Sequence, residues 1–200
     1  MGKSVNNRKF CSILLMAVIS VAPLSAAIAA TGALTWPAPK DTLRQVHLAG
    51  LIPLPQETIE YHVHDQLYVF VNGQAVTVPA GIGINTQDPG VASFPTGSGE
   101  TIGLVAPCQL ACISPLHTHD ASGLIHIEAP KRESFNLGQF FTEWGVRLNA
   151  ACVGNYCRPA TSIHAYVNGA RYSGNPAHIL LTGAQKITIV IGIPPAHIPG

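Results

Sequence analysis

The chain has 200 residues, a formal net charge of +1 at neutral pH and only 10% charged residues. This length accommodates one ordinary domain with a hydrophobic core. The small net charge and the lack of any long run of Lys or Arg argue against nucleic acid as a partner. The 19 glycines and 16 prolines favour a turn-rich fold of strands over a helical bundle.

The amino-terminal segment has the pattern of a secretory signal peptide. Three basic residues, Lys3, Arg8 and Lys9, precede a long apolar run that ends in small residues. A small-x-small pattern ends at Ala29, so residues 1–29 are predicted to be removed on export. The alternative is a retained membrane anchor, because the run is close to the length of a spanning helix. The signal-peptide interpretation predicts a periplasmic or secreted protein with no stable membrane anchor.

Removal of this segment leaves four cysteines, Cys108, Cys112, Cys152 and Cys157. An even number of cysteines in an oxidising compartment predicts disulfides. Four cysteines allow three connectivities, and the sequence does not choose among them. The alternative is a four-thiolate zinc site, although such sites favour Cys-x2-Cys spacing.

Order is predicted to begin near residue 58. Residues 30–57 are rich in Pro and lack periodicity, which predicts an extended lead-in to a single domain over residues 58–200. Residues 59–71 are mostly β-branched and aromatic and predict a strand. Asn72-Gly73 then supplies a type I′ turn, and residues 74–78 form the return strand of a hairpin.

A second hairpin is predicted after a long segment rich in Gly, Pro, Ser and Thr. That segment, residues 81–107, is a candidate lid over a functional site. The hairpin has strands over residues 116–119 and 124–128. Strand alternation places His126 and Glu128 together on one face of the returning strand.

One amphipathic helix is predicted over residues 137–144. Its apolar stripe has i, i+3, i+4, i+7 spacing and consists of Leu137, Phe140, Phe141 and Trp144. Asn136 and Gln139 form a capping-box pattern at its start, and Gly145 is a typical terminator.

Two further strands are predicted over residues 163–167 and 186–191, the first followed by another turn, Asn168-Gly169. Together these elements predict an α+β fold with a mainly antiparallel sheet of hairpins and one packed helix, similar to a β-grasp.

Five histidines in the predicted strands form the candidate metal site, namely His62, His64, His117, His119 and His126. Alternate residues of a strand emerge on the same face, so each His-x-His pair has chelating geometry. His126 returns on the neighbouring strand. Because neutral imidazole is a good ligand for copper and zinc, the pattern predicts a copper or zinc ion held by these histidines.

Three carboxylates lie beside the histidines in sequence, namely Asp65, Asp120 and Glu128. Such groups orient an imidazole through its other nitrogen or bind the metal themselves. The remaining histidines, His47, His164, His178 and His197, lack comparable partners. The chain contains no His-Glu-x-x-His, Gly-x-Ser-x-Gly or Gly-x-x-x-x-Gly-Lys motif, so no catalytic residue is assigned.

Three motifs occur together in residues 62–73, 116–128 and 137–141. They read His-x-His-x-x-Leu-x-Val-x-Val-Asn-Gly, Leu-His-Thr-His-Asp-x-Ser-Gly-x-Ile-His-Ile-Glu and Leu-Gly-Gln-Phe-Phe. The combination resembles a family of uncharacterised exported bacterial proteins. The resemblance implies that these segments belong together, but it implies no particular reaction.

The sequence leads to one main hypothesis and two alternatives. The main hypothesis is an exported transition-metal-binding protein for copper or zinc, acting in storage, delivery or sequestration. The first alternative is a mononuclear metalloenzyme with an open coordination position and Glu128 or Asp120 as the acid/base. The second is a binding module of the cell envelope in which the histidines are structural.

Overall fold

The computed structural model describes residues 1–2, 34–97 and 99–200. The predicted signal peptide therefore lies outside the described residues, except for its first two. From Leu34 onward the described residues belong to one compact unit. Within the described ranges, no helix is both long and apolar enough to cross a lipid bilayer.

Most of the described elements are short strands, and two of them are α-helices. The strands are β1 (Leu34–Thr35), β2 (Tyr61–Val71), β3 (Gln74–Thr77), β4 (Val91–Thr96), β5 (Gly99–Leu104), β6 (Leu116–His117), β7 (Leu124–Ala129), β8 (Phe135–Asn136), β9 (Cys152–Val153), β10 (Tyr156–Cys157), β11 (Ile163–Val167), β12 (Ala170–Tyr172), β13 (Leu180–Leu181) and β14 (Lys186–Ile191). The helices are α1 (Thr42–Leu48) and α2 (Leu137–Trp144), and a 3-10 turn spans Pro176–His178.

An eight-stranded sheet organises the described part of the chain. Its main path runs β1-β3-β2-β14-β11-β12, while β7 pairs with β2 and β6 pairs with β7. The β1–β3 and β2–β14 pairs are parallel, and the other pairs of this sheet are antiparallel. The predicted α+β class with a mainly antiparallel sheet is confirmed, whereas the likeness to a β-grasp stays a prediction.

Strand β2 is the central strand and has two different faces. From Asp65 onward every second side chain is buried, and these residues include Leu67 and Val69. His62 and His64 emerge on the opposite, more accessible face. At the end of β2 the backbone φ angles of Asn72 and Gly73 are 49° and 80°, as the predicted type I′ turn requires. The turn fixes the β2–β3 register, and alternation along β2 keeps His62 and His64 on the face opposite Leu67 and Val69.

Helix α2 packs its apolar stripe into the core against the sheet. All four predicted stripe residues are buried there, namely Leu137, Phe140, Phe141 and Trp144. Burying a side chain of this size contributes roughly 1.5–3 kcal/mol. The reciprocal capping box of Asn136 and Gln139 is present, and Gly145 ends the helix with a φ of 73°. The predicted helix and both of its ends are confirmed.

The segment before β2 differs from the predicted extended lead-in, because it contains α1 and contributes to the core. Val46 of α1 is fully buried, and the ring centroids of Trp36 and Trp144 are 5.4 Å apart. The Trp144 indole also donates to the carbonyl oxygen of Pro37, at 3.1 Å. A seven-residue helix with one buried residue leaves too little periodicity to detect in the sequence.

Residues 81–107 contain a hairpin, β4–β5, that the sequence did not predict. Strand β4 is largely exposed and includes Pro95, which is tolerated in an edge strand. Its sequence lacks apolar alternation because neither face enters the core. The hairpin nevertheless contributes to the site, since Ile102 of β5 contacts His119.

The four cysteines form two local disulfides, Cys108–Cys112 and Cys152–Cys157. This pairing excludes the alternative of a four-thiolate zinc site. The second disulfide joins directly paired residues of β9 and β10. Two disulfides indicate an oxidising environment, in agreement with the predicted export.

Candidate metal centre

The pairing of three strands brings the predicted histidines together. His64 on β2 is the direct partner of His126 on β7, and His126 is the partner of His117 on β6. His62 is paired with Glu128 in the same register. Directly paired side chains on one face lie about 5 Å apart at their Cβ atoms. A row of three imidazoles therefore crosses the sheet, with His62 and Glu128 beside it.

His119 joins this row although β6 ends at His117. Thr118 lies between them and is fully buried. Its hydroxyl donates to the carbonyl oxygen of Pro79 and accepts from the amide of Ile82. These two hydrogen bonds anchor the backbone on one side, so that both neighbouring imidazoles emerge on the other.

The ring nitrogens of the five histidines approach one another closely. The Nε2 atoms of His62 and His64 are 2.9 Å apart. The Nε2 atom of His64 is 3.1 Å from Nδ1 of His126. The Nε2 atoms of His117 and His119 are 3.2 Å apart. Two nitrogen ligands of a tetrahedral zinc ion, each about 2.05 Å from the metal, are about 3.3 Å apart.

Backbone carbonyls fix the tautomers of His117 and His119. The Nδ1 atom of His117 is 2.9 Å from the carbonyl oxygen of Ser114, and Nδ1 of His119 is 2.6 Å from that of Ile102. A carbonyl oxygen only accepts, so each Nδ1 carries the hydrogen. In the neutral rings each Nε2 therefore presents a lone pair to the other. A cation between the two nitrogens removes this repulsion, and a carbonyl partner is a common support for a metal-bound histidine.

Glu128 presents one carboxylate oxygen to the histidines. Its Oε1 is 3.1 Å from Nε2 of His62, 3.5 Å from Nδ1 of His126 and 3.7 Å from Nε2 of His117. Its Oε2 accepts instead from the amide of Thr58. Burial alone would raise the pKa of Glu128, but the hydrogen bond with His126 and the neighbouring His117 and His62 lower it to about 2. The side chain is therefore an anion at neutral pH.

Burial keeps the innermost imidazole neutral. The side chain of His117 is fully buried, and this burial together with His119 lowers its pKa to about 3. Burial and the neighbouring His126 and His62 also lower the pKa of His64. Coordination requires a deprotonated nitrogen, so these rings can bind a metal without first releasing a proton at neutral pH.

Two of the three predicted supporting carboxylates have other roles. Asp65 lies on the core face of β2 and accepts from the amides of Thr182 and Gln185. The expectation that it orients an imidazole is therefore wrong, because it alternates with the histidines along the strand. Burial raises its pKa. Asp120 accepts from the amide of Ser122 and shapes the β6–β7 turn. Of the three, Glu128 alone contacts the imidazoles directly.

Several groups that contribute to the site were missed in the sequence. The Oε1 atom of Glu57 is 3.5 Å from Nε2 of His119, and the carbonyls of Ser114 and Ile102 orient two of the rings. Glu57 lies outside the predicted domain core, and carbonyl contacts depend on loop paths rather than on residue type. Only the proximity of Glu57 to the first His-x-His pair could have indicated its role.

Among the described residues, two sets of ligand atoms could each hold a metal ion. The inner set consists of His117, His119, His126 and Glu128, and the outer set consists of His62, His64 and His126. In each set the ligand atoms lie within 4.8 Å of one another. A third group contains Asp88 with Cys108 and Cys112, but those sulfurs form a disulfide and offer no thiolate.

The donor atoms of the two sets are imidazole nitrogens and a carboxylate oxygen, a combination suited to zinc and to divalent copper. The four inner ligands match the number that a tetrahedral ion requires. The interpretation of the site depends on this geometry, because no protein family, curated protein or solved structure matches the chain.

Proposed function

We propose that the protein is an exported transition-metal-binding protein that holds copper or zinc in the histidine cluster and serves in storage, delivery or sequestration. One observation carries the proposal. The Nε2 atoms of His117 and His119 are 3.2 Å apart while both Nδ1 atoms donate to carbonyls. Two lone pairs in that position are stabilised by a shared cation, and a purely structural network would instead place a donor opposite an acceptor.

The choice of metals follows from the donor atoms. The inner set offers three imidazoles and one carboxylate and no sulfur ligand, since the four cysteines outside the predicted signal are paired. Such donors favour zinc and divalent copper over monovalent copper, which prefers thiolate and thioether ligands. The two disulfides and the signal-like amino terminus support a site that loads outside the cytoplasm.

Carriage is favoured over catalysis by the number of ligands. The two sets offer more ligand atoms than one ion uses, whereas a catalytic zinc usually has three protein ligands and one open position. A metalloenzyme is the second candidate, because the outer side of the cluster is accessible at His62 and could admit a substrate. A metal-bound structure with four protein ligands supports carriage, and an open fourth position supports catalysis.

Titration calorimetry of the exported protein, after treatment with EDTA, tests the proposal. We expect Zn²⁺ and Cu²⁺ to bind with a dissociation constant well below about 1 μM, which corresponds to about 8 kcal/mol. The double variant His117→Asn/His119→Asn should lose this binding. Asn keeps a side-chain donor for each carbonyl but removes the Nε2 ligands. Absence of binding tighter than micromolar at pH 7.5 would contradict the proposal.

A matched control distinguishes metal binding by the cluster from metal binding by other histidines of the chain. His47 and His197 are both exposed and lie outside the two ligand sets. The double variant His47→Gln/His197→Gln should bind Zn²⁺ as the wild type does. Equal losses in the two double variants would show that surface histidines, rather than the cluster, bind the metal.

A further inference from the structure

The two ligand sets share one residue, His126. The Nδ1 atom of His126 is 3.1 Å from Nε2 of His64 in the outer set and 3.5 Å from Oε1 of Glu128 in the inner set. One imidazole nitrogen has one lone pair and binds one ion at a time. The inner and outer sets therefore compete for this nitrogen. An ion that binds it in one set leaves the other set without that ligand.

The two sets also differ in their access to solvent. The side chain of His62 in the outer set is 33% exposed, the shared His126 is 18% exposed, and His117 in the inner set is fully buried. Glu128 is only 4% exposed. His119 of the inner set is 18% exposed, so the deepest inner ligands are His117 and Glu128, and an ion arriving from solvent meets the more exposed His62 first.

Glu128 is a second group within reach of both sets. Its Oε1 is 3.1 Å from Nε2 of His62 and 3.7 Å from Nε2 of His117. An ion held by the outer histidines is therefore already beside the carboxylate of the inner set. The anionic oxygen can therefore hold the cation while its imidazole ligands change, and the charge attraction is strong there because water is largely excluded.

We propose that the outer set is a transient entry site. A divalent metal ion passes from it to the inner set by ligand exchange at His126 and Glu128. This inference rests on the proposed metal-binding function and adds a route to it. Each bond formed to His117 or His119 replaces one broken to His62 or His64. An imidazole coordinates through a deprotonated ring nitrogen and the carboxylate is already an anion, so the exchange of one ligand for another needs no electron transfer. The ion keeps protein ligands throughout and is never fully released.

Ligands that act only during transfer have a kinetic signature that permanent ligands do not have. If His62 and His64 act only during transfer, their removal slows binding and release by the same factor and leaves the equilibrium affinity unchanged. If they coordinate the ion in its final position, their removal weakens the affinity directly. Measuring both the rates and the equilibrium constant therefore distinguishes the two roles.

Stopped-flow measurements with Zn²⁺ and a chromogenic chelator test the inference on the EDTA-treated exported protein. We expect His62→Gln/His64→Gln to slow both uptake and release of Zn²⁺ roughly tenfold, the scale at which supporting groups act at metal sites, with an unchanged dissociation constant. The inner variant His119→Asn should weaken the equilibrium affinity instead. The exposed pair His47→Gln/His197→Gln serves as the matched control.

The possible outcomes distinguish failure of the transfer route from failure of the proposed metal-binding function. If the wild type takes up no Zn²⁺, the metal-binding function fails. If the wild type binds one ion but His62→Gln/His64→Gln leaves both rates unchanged, the outer set is not an entry site. Loss of equilibrium affinity in the outer variant, or two tightly bound ions per wild-type chain, would likewise overturn the route while leaving metal binding intact.

Discussion

His64 lies directly opposite His126 across the β2–β7 pair, and Nε2 of His64 is 3.1 Å from Nδ1 of His126. His126 is at the same time the partner of His117 on β6. Its ring is stacked on that of His117, with centroids 5.2 Å apart. The ring of His126 thus occupies the middle of the row, where a single substitution affects both ligand sets.

We therefore expect His126→Gln to weaken Zn²⁺ binding more than substitution of either outer histidine. Loss of a group that merely supports a ligand costs about 10–100-fold in affinity, so loss of this shared ligand should exceed about 100-fold. His64→Gln should leave the equilibrium constant unchanged. Competition against a chelator of known affinity measures both, and circular dichroism confirms that each variant is folded. Equal affinities of His126→Gln and His64→Gln would contradict the shared position of His126.

The strand pattern predicted much of this arrangement. Alternation placed His62 and His64 on one face, and the Asn72-Gly73 turn and the β6–β7 hairpin both formed where expected. These features depend on local rules of strands and turns, which act over a few residues. The convergence of His62 and His64 with His117 depends in addition on the pairing of β2 with β7, which no local pattern specifies.

The errors have three different physical causes. The prediction for Asp65 relied on its position beside His64 in sequence, although adjacent strand residues point to opposite faces. Helix α1 and the β4–β5 hairpin were missed because few of their residues are buried, so little hydrophobic periodicity marks them. Glu57 was missed because its contact with His119 is set by the path of a loop.

A buried acid behind the site leads to a prediction about stability at high pH. Glu143 on α2 is fully buried and accepts from the hydroxyl of Ser114 through Oε1, while Oε2 has no hydrogen-bond partner among the described residues. Burial raises the pKa of Glu143 well above its ordinary value. Its folded-state pKa thus exceeds the unfolded one, so stability is complete below the unfolded pKa and falls as the pH rises toward the folded pKa.

Glu143→Gln should remove this dependence, because Gln is neutral at every pH and keeps an acceptor for Ser114. We expect the variant to match the wild type near pH 4 and to melt at a higher temperature at pH 8. A gain of 1 kcal/mol corresponds to about 2–4 °C for a domain of this size. Calorimetry in EDTA at the two pH values measures the difference. A wild type that is the more stable of the two at pH 8 would show that the ionised carboxylate has a partner.

The buried imidazole of His117 gives the opposite pH dependence in the metal-free protein. Its pKa is lowered by burial to about 3, whereas an unfolded histidine titrates near 6.5. Below about pH 6.5 the unfolded chain binds a proton that the folded ring does not accept. The free energy of unfolding therefore declines as the pH falls from 6.5 toward 3.

His117→Asn should reduce this decline, since Asn does not titrate and still offers a donor to the carbonyl of Ser114. Between pH 7 and pH 4 the loss of stability should be smaller than in the wild type by on the order of 3 kcal/mol. Urea denaturation in EDTA at both pH values provides the measurement. The same variant at pH 7 reports the cost of the substitution itself. Parallel pH profiles for the two proteins would mean that His117 is already protonated in the fold.

Gly83 lies very close to the backbone of β6. Gly83 has a φ of +73°, and a Cβ atom there would lie 2.1 Å from the carbonyl oxygen of Leu116 and 3.1 Å from Cβ of His117. The carbonyl of Gly83 also accepts from the amide of Ser114, whose own carbonyl orients the His117 ring. A side chain at this position would separate the loop from the strand that carries the inner ligands.

Gly83→Ala should therefore lower the free energy of unfolding by about 1–3 kcal/mol and also weaken Zn²⁺ binding, because the strained backbone and the clash act on the same strand. Gly97→Ala is the matched control, since a Cβ atom at Gly97 meets nothing within 4 Å and its φ is not in the left-handed range. Chemical denaturation in EDTA and chelator competition measure the two effects separately. If Gly83→Ala lost stability but bound Zn²⁺ as tightly as Gly97→Ala, the contact would support the fold without positioning His117.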